Sequence, residues 1–139
     1  MLGRWRFARA ARMRNPLLAA LQARFGELRV GLCRTEMHAH RGVRSADGAL
    51  DPIAISALAQ LAAIMVIEVS VPEGVCGTAR GLTIEHLRRA ESAVVALARL
   101  DKTDWGEPGL VGVPVTISDT AGIEVARAVV SFAVAMRSD

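Results

Sequence analysis

From Ile53 to Val71 the chain is apolar on nearly every face of a helix, with Ile53, Ile55, Leu58, Leu61, Ile64, Met65 and Ile67 covering the full circle. Asp51 is a good N-cap, and Pro52 suits the first helical turn, where its missing N–H costs nothing. Pro72, Glu73 and Gly74 stop the segment. A helix without a polar face has to be wrapped by other structure. Its length approaches the roughly 20 residues that span a bilayer. Ser56, Gln60, Glu68 and Ser70 interrupt it, however, and it is rich in Ala, so it reads as the buried helix of a domain, running from about Pro52 to Val69, and not as a membrane insertion.

The rest of the chain supplies strands to do the wrapping. Four are expected after the helix, at about Cys76 to Arg89, Ala93 to Leu100, Leu110 to Ser118, and Ile123 to Met136. The last two form the clearest pair. Val111, Val113, Val115 and Ile117 alternate, Asp119-Thr120-Ala121-Gly122 makes a turn, and alternation resumes at Ile123 and Val125, which is the signature of a hairpin. Ala90-Glu91-Ser92 is read as the turn of the preceding pair, and Pro114 inside a strand implies an edge or a bulge. Before the helix, Asn15-Pro16 opens a short helical segment through about Arg24, ended by Gly26. Leu28, Val30 and Leu32 then alternate with Arg29, Gly31 and Cys33, so one strand is expected from Glu27 to about His40, followed by a loop from Arg41 to Leu50. The fold class is therefore α+β: an antiparallel sheet of about five strands that must curl around one long helix.

Size and charge bound the function. The chain has 139 residues at 14.8 kDa, 52% of them hydrophobic and 22% charged, with a mean hydropathy of +0.32, which excludes a disordered tail and a multidomain machine. Residues 1–14 are a basic arm and residues 15–139 a single domain. Tyr is absent, so no catalytic tyrosine exists, and aromatics at 4% give no stacking surface for single-stranded nucleic acid. The net charge of +3 comes from the arm, where Arg4, Arg6, Arg9, Arg12 and Arg14 face no acid; without a recognisable binding module, the arm is read as a solvated terminus and no nucleic-acid partner is expected. Cys33 and Cys76 form no C-x-x-C pattern and are read as reduced thiols of a cytoplasmic protein. The opening residues lack the continuous apolar stretch of a secretory signal.

This order of elements, with Gly48-Ala49-Leu50-Asp51-Pro52 leading into Ile53-Ala54-Ile55-Ser56-Ala57-Leu58-Ala59-Gln60, resembles the hotdog-fold acyl-CoA thioesterases, especially the phenylacetate-degradation type and its uncharacterised relatives. The stretch Leu82-Thr83-Ile84-Glu85-His86-Leu87-Arg88-Arg89-Ala90 is similar to the family strand that ends in a leucine-arginine-proline-like turn. Ser118-Asp119-Thr120-Ala121-Gly122-Ile123-Glu124-Val125-Ala126 is similar to its last hairpin. The resemblance covers about residues 27 to 136. It implies a hotdog fold, a homodimer or dimer of dimers with the ligand cleft between subunits, and an acyl-CoA substrate whose coenzyme A moiety is the only cofactor-like group.

Laid residue by residue, the family's His falls on Asp51, its two glycines on Pro52 and Ile53, and its catalytic Asp or Glu on Gln60. Gln60 can hold a water or a thioester oxygen by hydrogen bonds, but it cannot take a proton near neutral pH. Asp51 is the nearest replacement base, although a helix-capping Asp before Pro is commonly a cap and nothing more. Backbone N–H groups from Ile53 through Ala54 to Ile55 are candidates to hold a developing oxyanion. Ser56 either orients a ligand or bonds back to its own helix. Gln60, the one amide of an apolar helix, lines a pocket or bonds across a subunit interface. Arg88 and Arg89, with Arg80, are candidates for the phosphates of coenzyme A or are solvated charges. His38 and His40 stand two apart on the expected strand, the spacing of a metal pair, but no third ligand is evident and no metal is expected. Two functions remain: a thioesterase working by water attack on the thioester carbonyl, or a non-catalytic hotdog protein that binds acyl-CoA or another apolar ligand.

Overall fold

The structure is a computed structural model that describes residues 16–137; the basic arm and the expected cap at Asn15 lie outside the described residues. A short helix α1 (Pro16–Ala20) precedes two strands, β1 (Arg24–Arg29) and β2 (Leu32–Met37). The long helix α2 (Pro52–Ser70) follows, and then β3 (Val75–His86), β4 (Val94–Arg99), β5 (Gly109–Asp119) and β6 (Glu124–Met136). All six strands join one antiparallel sheet in the order β1-β2-β4-β5-β6-β3. The sheet curls about α2 without closing, which is the expected hotdog arrangement.

Helix α2 starts where the sequence places it. Asp51 is its N-cap, accepting from the Ile53 N–H at 2.8 Å, with Pro52 in the first turn, and the Val71 N–H closes the far end on the Ile67 carbonyl. It is the one helix among the described residues long and apolar enough to cross a membrane, yet Leu58, Ala59, Leu61, Ala62, Met65 and Val66 are buried. Facing them from the sheet are Leu28, Met37, Val94, Val113, Val115, Ile117, Val130 and Phe132, which form one core with the helix. One seam stays uncovered. Ile53 is 78% exposed; Ser56, Ala57, Gln60 and Ile64 are half-buried and Glu68 is exposed. These positions recur at helical spacing and define a single stripe.

Three expectations are corrected. The segment from Glu27 to His40 is two strands, because Gly31 adopts φ +85° and reverses the chain; Val30, counted as inward-facing, sits in the turn at 50% exposure. Helix α1 ends at Ala20, short of Arg24, and Gln22 at φ +54° turns the chain before Gly26 is reached. Strands β3 and β4 are not a hairpin. Strand β3 ends at His86 and pairs with β6, while β4 lies between β2 and β5. The Ala90 carbonyl accepts from Leu50 N–H at 2.9 Å, and both Leu87 and Arg88 N–H groups go to the Val125 carbonyl, so the backbone that a hairpin would use is committed elsewhere. The β5–β6 hairpin matches expectation, with Gly122 at φ +84° and Asp119 Oδ1 accepting from Ala121 and Ile123 N–H. Pro114 stands opposite Val129 of β6, and β4 pairs with β5 from Asp119 back only as far as Val115, one residue short of the proline. The proline thus occupies a local edge.

Both cysteines are free thiols; Cys33 is buried and Cys76 half-buried. Burial pushes the Cys33 thiol up to about 12. A raised pKa means that the folded state keeps a proton the unfolded chain releases, so the associated stability is complete below about pH 9 and is lost as pH rises toward 12. Unfolding free energy should therefore fall by about 1.4 kcal/mol per pH unit across that window, and Cys33→Ala should remove this part of the slope in urea titrations. Close packing of α2 on β3 rests on Gly77, where an added Cβ would stand 2.8 Å from Ile67 Cγ2. Gly77→Ala is expected to cost roughly 1–3 kcal/mol, and adding Ile67→Ala should recover part of that cost relative to the sum of the single changes, measured by denaturant unfolding.

Candidate functional site

The entrance to α2 is built by the loop from Arg44 to Leu50. Its ends pair as an isolated bridge, and Ser45 N–H donates to the Ala49 carbonyl at 2.8 Å. Gly48 at φ +89° supplies the left-handed residue the turn needs. Asp47 organises the loop from within: Oδ1 accepts from Ser45 Oγ at 2.8 Å and from Ala49 N–H at 3.1 Å. From outside, Arg89 donates to Asp47 Oδ2 at 2.7 Å and to its carbonyl at 3.0 Å, and pairs with Glu91 at 2.7 Å. The Ser45 hydroxyl, the Ala49 amide and Arg89 together hold the Asp47 carboxyl below its usual range, while Glu91 and Asp47 raise the Arg89 guanidinium. All three charged groups are exposed, so the clamp fixes geometry more than it adds stability.

Beyond this loop the first turn of α2 opens onto a cavity of about 360 Å³, lined among others by Pro52, Ile55, His86, Leu87 and Arg88. Of the three amides considered for an oxyanion, Ile53 N–H is taken by Asp51 Oδ1 and Ile55 N–H by the Asp51 carbonyl at 3.1 Å. The Ala54 N–H has no partner among the described residues. Asp51 is half-buried, and only its Oδ1 is engaged. Ser56 Oγ donates back to the Pro52 carbonyl at 2.9 Å. Arg89 is held by Asp47 and Glu91, whereas the exposed Arg88 has a side chain with no ion pair among the described residues. Gln60 is set apart: nine residues beyond Asp51 at 1.5 Å per residue is about 13 Å along the axis. One chain therefore cannot bring Asp51 and Gln60 to the same substrate atom.

Two residues escaped the sequence reading of the site. His86 carries no signal of its own in the sequence, yet the alternation Leu82, Ile84, His86 places it, exposed, on the helix-facing side of β3, opposite buried Ala126. Asp47 sits in Ser45-Ala46-Asp47-Gly48, the pattern of a side-chain-stabilised turn. The remaining histidines do not gather: His40 Nε2 lies 3.0 Å from the Leu21 carbonyl, and His38 is exposed past the end of β2. Among the described residues no three His, Cys, Asp or Glu side chains come close enough to hold a metal.

The cap at Asp51 is separable from any chemistry it performs. Asp51→Ala should lower stability by about 1 kcal/mol, whereas Asp51→Asn should leave it nearly unchanged, because Asn caps as well as Asp; equilibrium unfolding of both variants checks this.

Residues 3–134 match the family described as Domain of unknown function (DUF4442). A comparison with curated proteins gave no match. Among solved structures, a structural-genomics protein superposes with a TM-score of 0.86 at 29% identity, over 96% of this chain and 90% of the other. A protein of unknown function from Pseudomonas aeruginosa, described as a probable thioesterase, gives 0.85 at 20% identity over 95% of each chain. A thioesterase from Haemophilus influenzae gives 0.78 at 16% identity, over 88% of this chain and 84% of the other. The extent of the family match, together with a helix wrapped by the same sheet as these structures, makes the chain a hotdog-fold member of the DUF4442 family.

Proposed function

We propose that the protein is a cytoplasmic acyl-CoA thioesterase whose cleft lies between two copies of the chain. The observation that carries this reading is the cavity at the start of α2, lined by Pro52, Ile55 and Arg88, in the same first turn as the cap Asp51 and the Ala54 N–H, which has no partner among the described residues. A helix N-terminus stabilises negative charge, and in thioester hydrolysis that charge develops on the carbonyl oxygen. Water attacks the carbonyl carbon, its oxygen forming the new C–O bond while Asp51 Oδ2 takes the proton. Collapse of the oxyanion breaks the C–S bond, and the proton passes to the departing thiolate, leaving a carboxylic acid and free coenzyme A. Arg88 meets the coenzyme's phosphates, and Arg89 serves that end indirectly by holding the Asp47 loop. Ser56 and Gln60, further along the exposed seam, line the acyl end.

Pairing of two chains is supported by the uncovered seam and by β3, which ends the sheet with no neighbour on its outer side among the described residues. An unpaired strand of 12 residues is an exposed template for another strand, and an isologous pairing satisfies it.

The amide at Gln60 favours the other reading, a hotdog protein that binds acyl-CoA or another apolar ligand without turnover. Thiol release from short, long and aromatic acyl-CoA esters separates the two: a flat response across the panel selects the binding protein. In an active enzyme, Asp51→Asn should slow turnover by roughly two to four orders of magnitude with the fold intact, and Gln60→Glu should raise it if that position faces the reacting water.

A further inference from the structure

Two walls frame the cavity of about 360 Å³ at the start of α2. One is the loop from Arg44 to Leu50, which contributes Ser45, Asp47 and Ala49; the other is the segment from His86 to Ala90 that follows β3. They are joined twice. At the foot, where Leu50 and Ala90 are both buried, the link is the backbone bond from Leu50 N–H to the Ala90 carbonyl at 2.9 Å. At the rim the link depends on one side chain: Arg89 reaches across to Asp47 Oδ2 at 2.7 Å and to the Asp47 carbonyl at 3.0 Å.

The loop braces itself. Gly48 N–H donates to the Ser45 carbonyl at 3.0 Å, Arg44 donates to the Gly48 carbonyl, and Asp47 Oδ1 accepts from Ser45 and Ala49. Ala46, Asp47 and Gly48 are exposed, and a Cβ added to Gly48 would meet nothing within 4 Å, so the tip is not seated on the core. Among the described residues, Arg89 is the one group outside the loop that hydrogen-bonds to this tip. The foot is secured without it: Asp51 N–H donates to the Val43 carbonyl at 2.8 Å, and Arg44 and Leu50 pair as a bridge. A unit that is rigid within itself, fixed at its foot and tied at its tip by one ion pair has the construction of a hinged flap.

We propose that the loop from Arg44 to Leu50 is a flap over the cavity and that Arg89 is its latch, a positioning residue that releases Asp47 to admit a ligand and takes it back once the ligand is seated. This rests on the thioesterase reading for the identity of the ligand, an acyl-CoA ester, but not for the movement. Asp47 and Arg89 are both exposed, so their pair breaks easily, and salt weakens it further. Glu91 accepts from the same guanidinium at 2.7 Å, which keeps Arg89 at the rim after Asp47 has left. Because the bonds at the foot do not involve Arg89, release leaves Asp51 and the α2 cap in place. The latch therefore acts on ligand capture and not on the chemical step, and its loss is read in KM.

Asp47→Asn separates the latch from the brace, since the amide oxygen still accepts from Ser45 and Ala49 while the charge facing Arg89 is gone. Asp47→Asn and Arg89→Gln should each raise KM for acyl-CoA esters roughly two- to fivefold, the range of an exposed ion pair, with little change in kcat. The double variant should add nothing further, and added salt should raise KM less in the variants than in the wild type. Movement is read without turnover, from the distance between spin labels on Ala46→Cys and, on the β5–β6 turn, Thr120→Cys, in a Cys76→Ser background of the full chain. One narrow distance is expected at low salt, and a broader, longer distribution in both latch variants. A fall of KM in Asp47→Asn makes Arg89 a phosphate ligand that Asp47 merely blocks, and overturns the latch. A label distance that stays narrow in both variants also overturns it; in either case the thioesterase reading stands. Distances that broaden as expected, in a chain that releases no thiol from any ester, overturn the thioesterase reading and leave the flap.

Discussion

The structure depends on covering a helix that has no polar face. Burying α2 side chains such as Leu58, Leu61, Met65 and Val66 stabilises the fold by roughly 1.5–3 kcal/mol for each large side chain, and only a surface that bends around the helix can reach so many of them. The sheet bends because it is twisted and carries irregularities at Phe25/Glu27, Ala79/Gly81 and Ile117/Ser118. Gly77 lets β3 approach where a side chain would collide with Ile67. The curl stops short of closure, and the open side determines both the seam along α2 and the unpaired edge of β3.

Everything at the α2 N-terminus follows from how the chain enters that helix. Because the loop from Arg44 to Leu50 must deliver Asp51 at the cap, it is held at several points: the Leu50–Ala90 hydrogen bond, the bond from Asp51 N–H to the Val43 carbonyl at 2.8 Å, and the Arg89–Asp47 contacts. The same bonds draw the segment after β3 to the helix start, and this places His86 and Arg88 at the cavity. A hairpin between β3 and β4 would have carried those residues away from it. The crossover is therefore what assembles the site.

The sequence makes the parts with strong local periodicity legible. Helix α2 and the β5–β6 hairpin are readable because burial is one-sided in the strands and complete in the helix, and Asp51-Pro52 and Asp119-Thr120-Ala121-Gly122 mark their ends. Leu28, Val30 and Leu32 mislead because a tight turn at Gly31 can sit inside an alternating pattern without interrupting it. Which strand pairs with β3 is decided by contacts distant in sequence, with Val125 and Leu50, and no local signal reports them. The site was partly legible for a related reason. Asp51 and the helix amides are local features, but the position of His86 and the engagement of Arg89 depend on that same long-range crossover.

Asp51 joins two demands. As a cap it benefits from being ionised, since the carboxylate is a strong acceptor for the Ile53 N–H and sits at the positive end of the helix. As the base of the proposed hydrolysis it needs an oxygen open to the water, and the cap engages Oδ1 alone. In the proposed reaction Oδ2 is therefore the oxygen that takes the proton from the water and passes it on to sulfur. Such chemistry gains most from a second acceptor that orients the water without competing for the proton. On α2 itself Gln60 is about 13 Å further along the helix and Ser56 is turned back to Pro52, whereas His86 lines the cavity at the helix start. The seam from Ile53 to Glu68 is the face of α2 that the described strands leave uncovered, and it begins in the same first turn that borders the cavity, so the incomplete cover of the helix also leaves its entrance open.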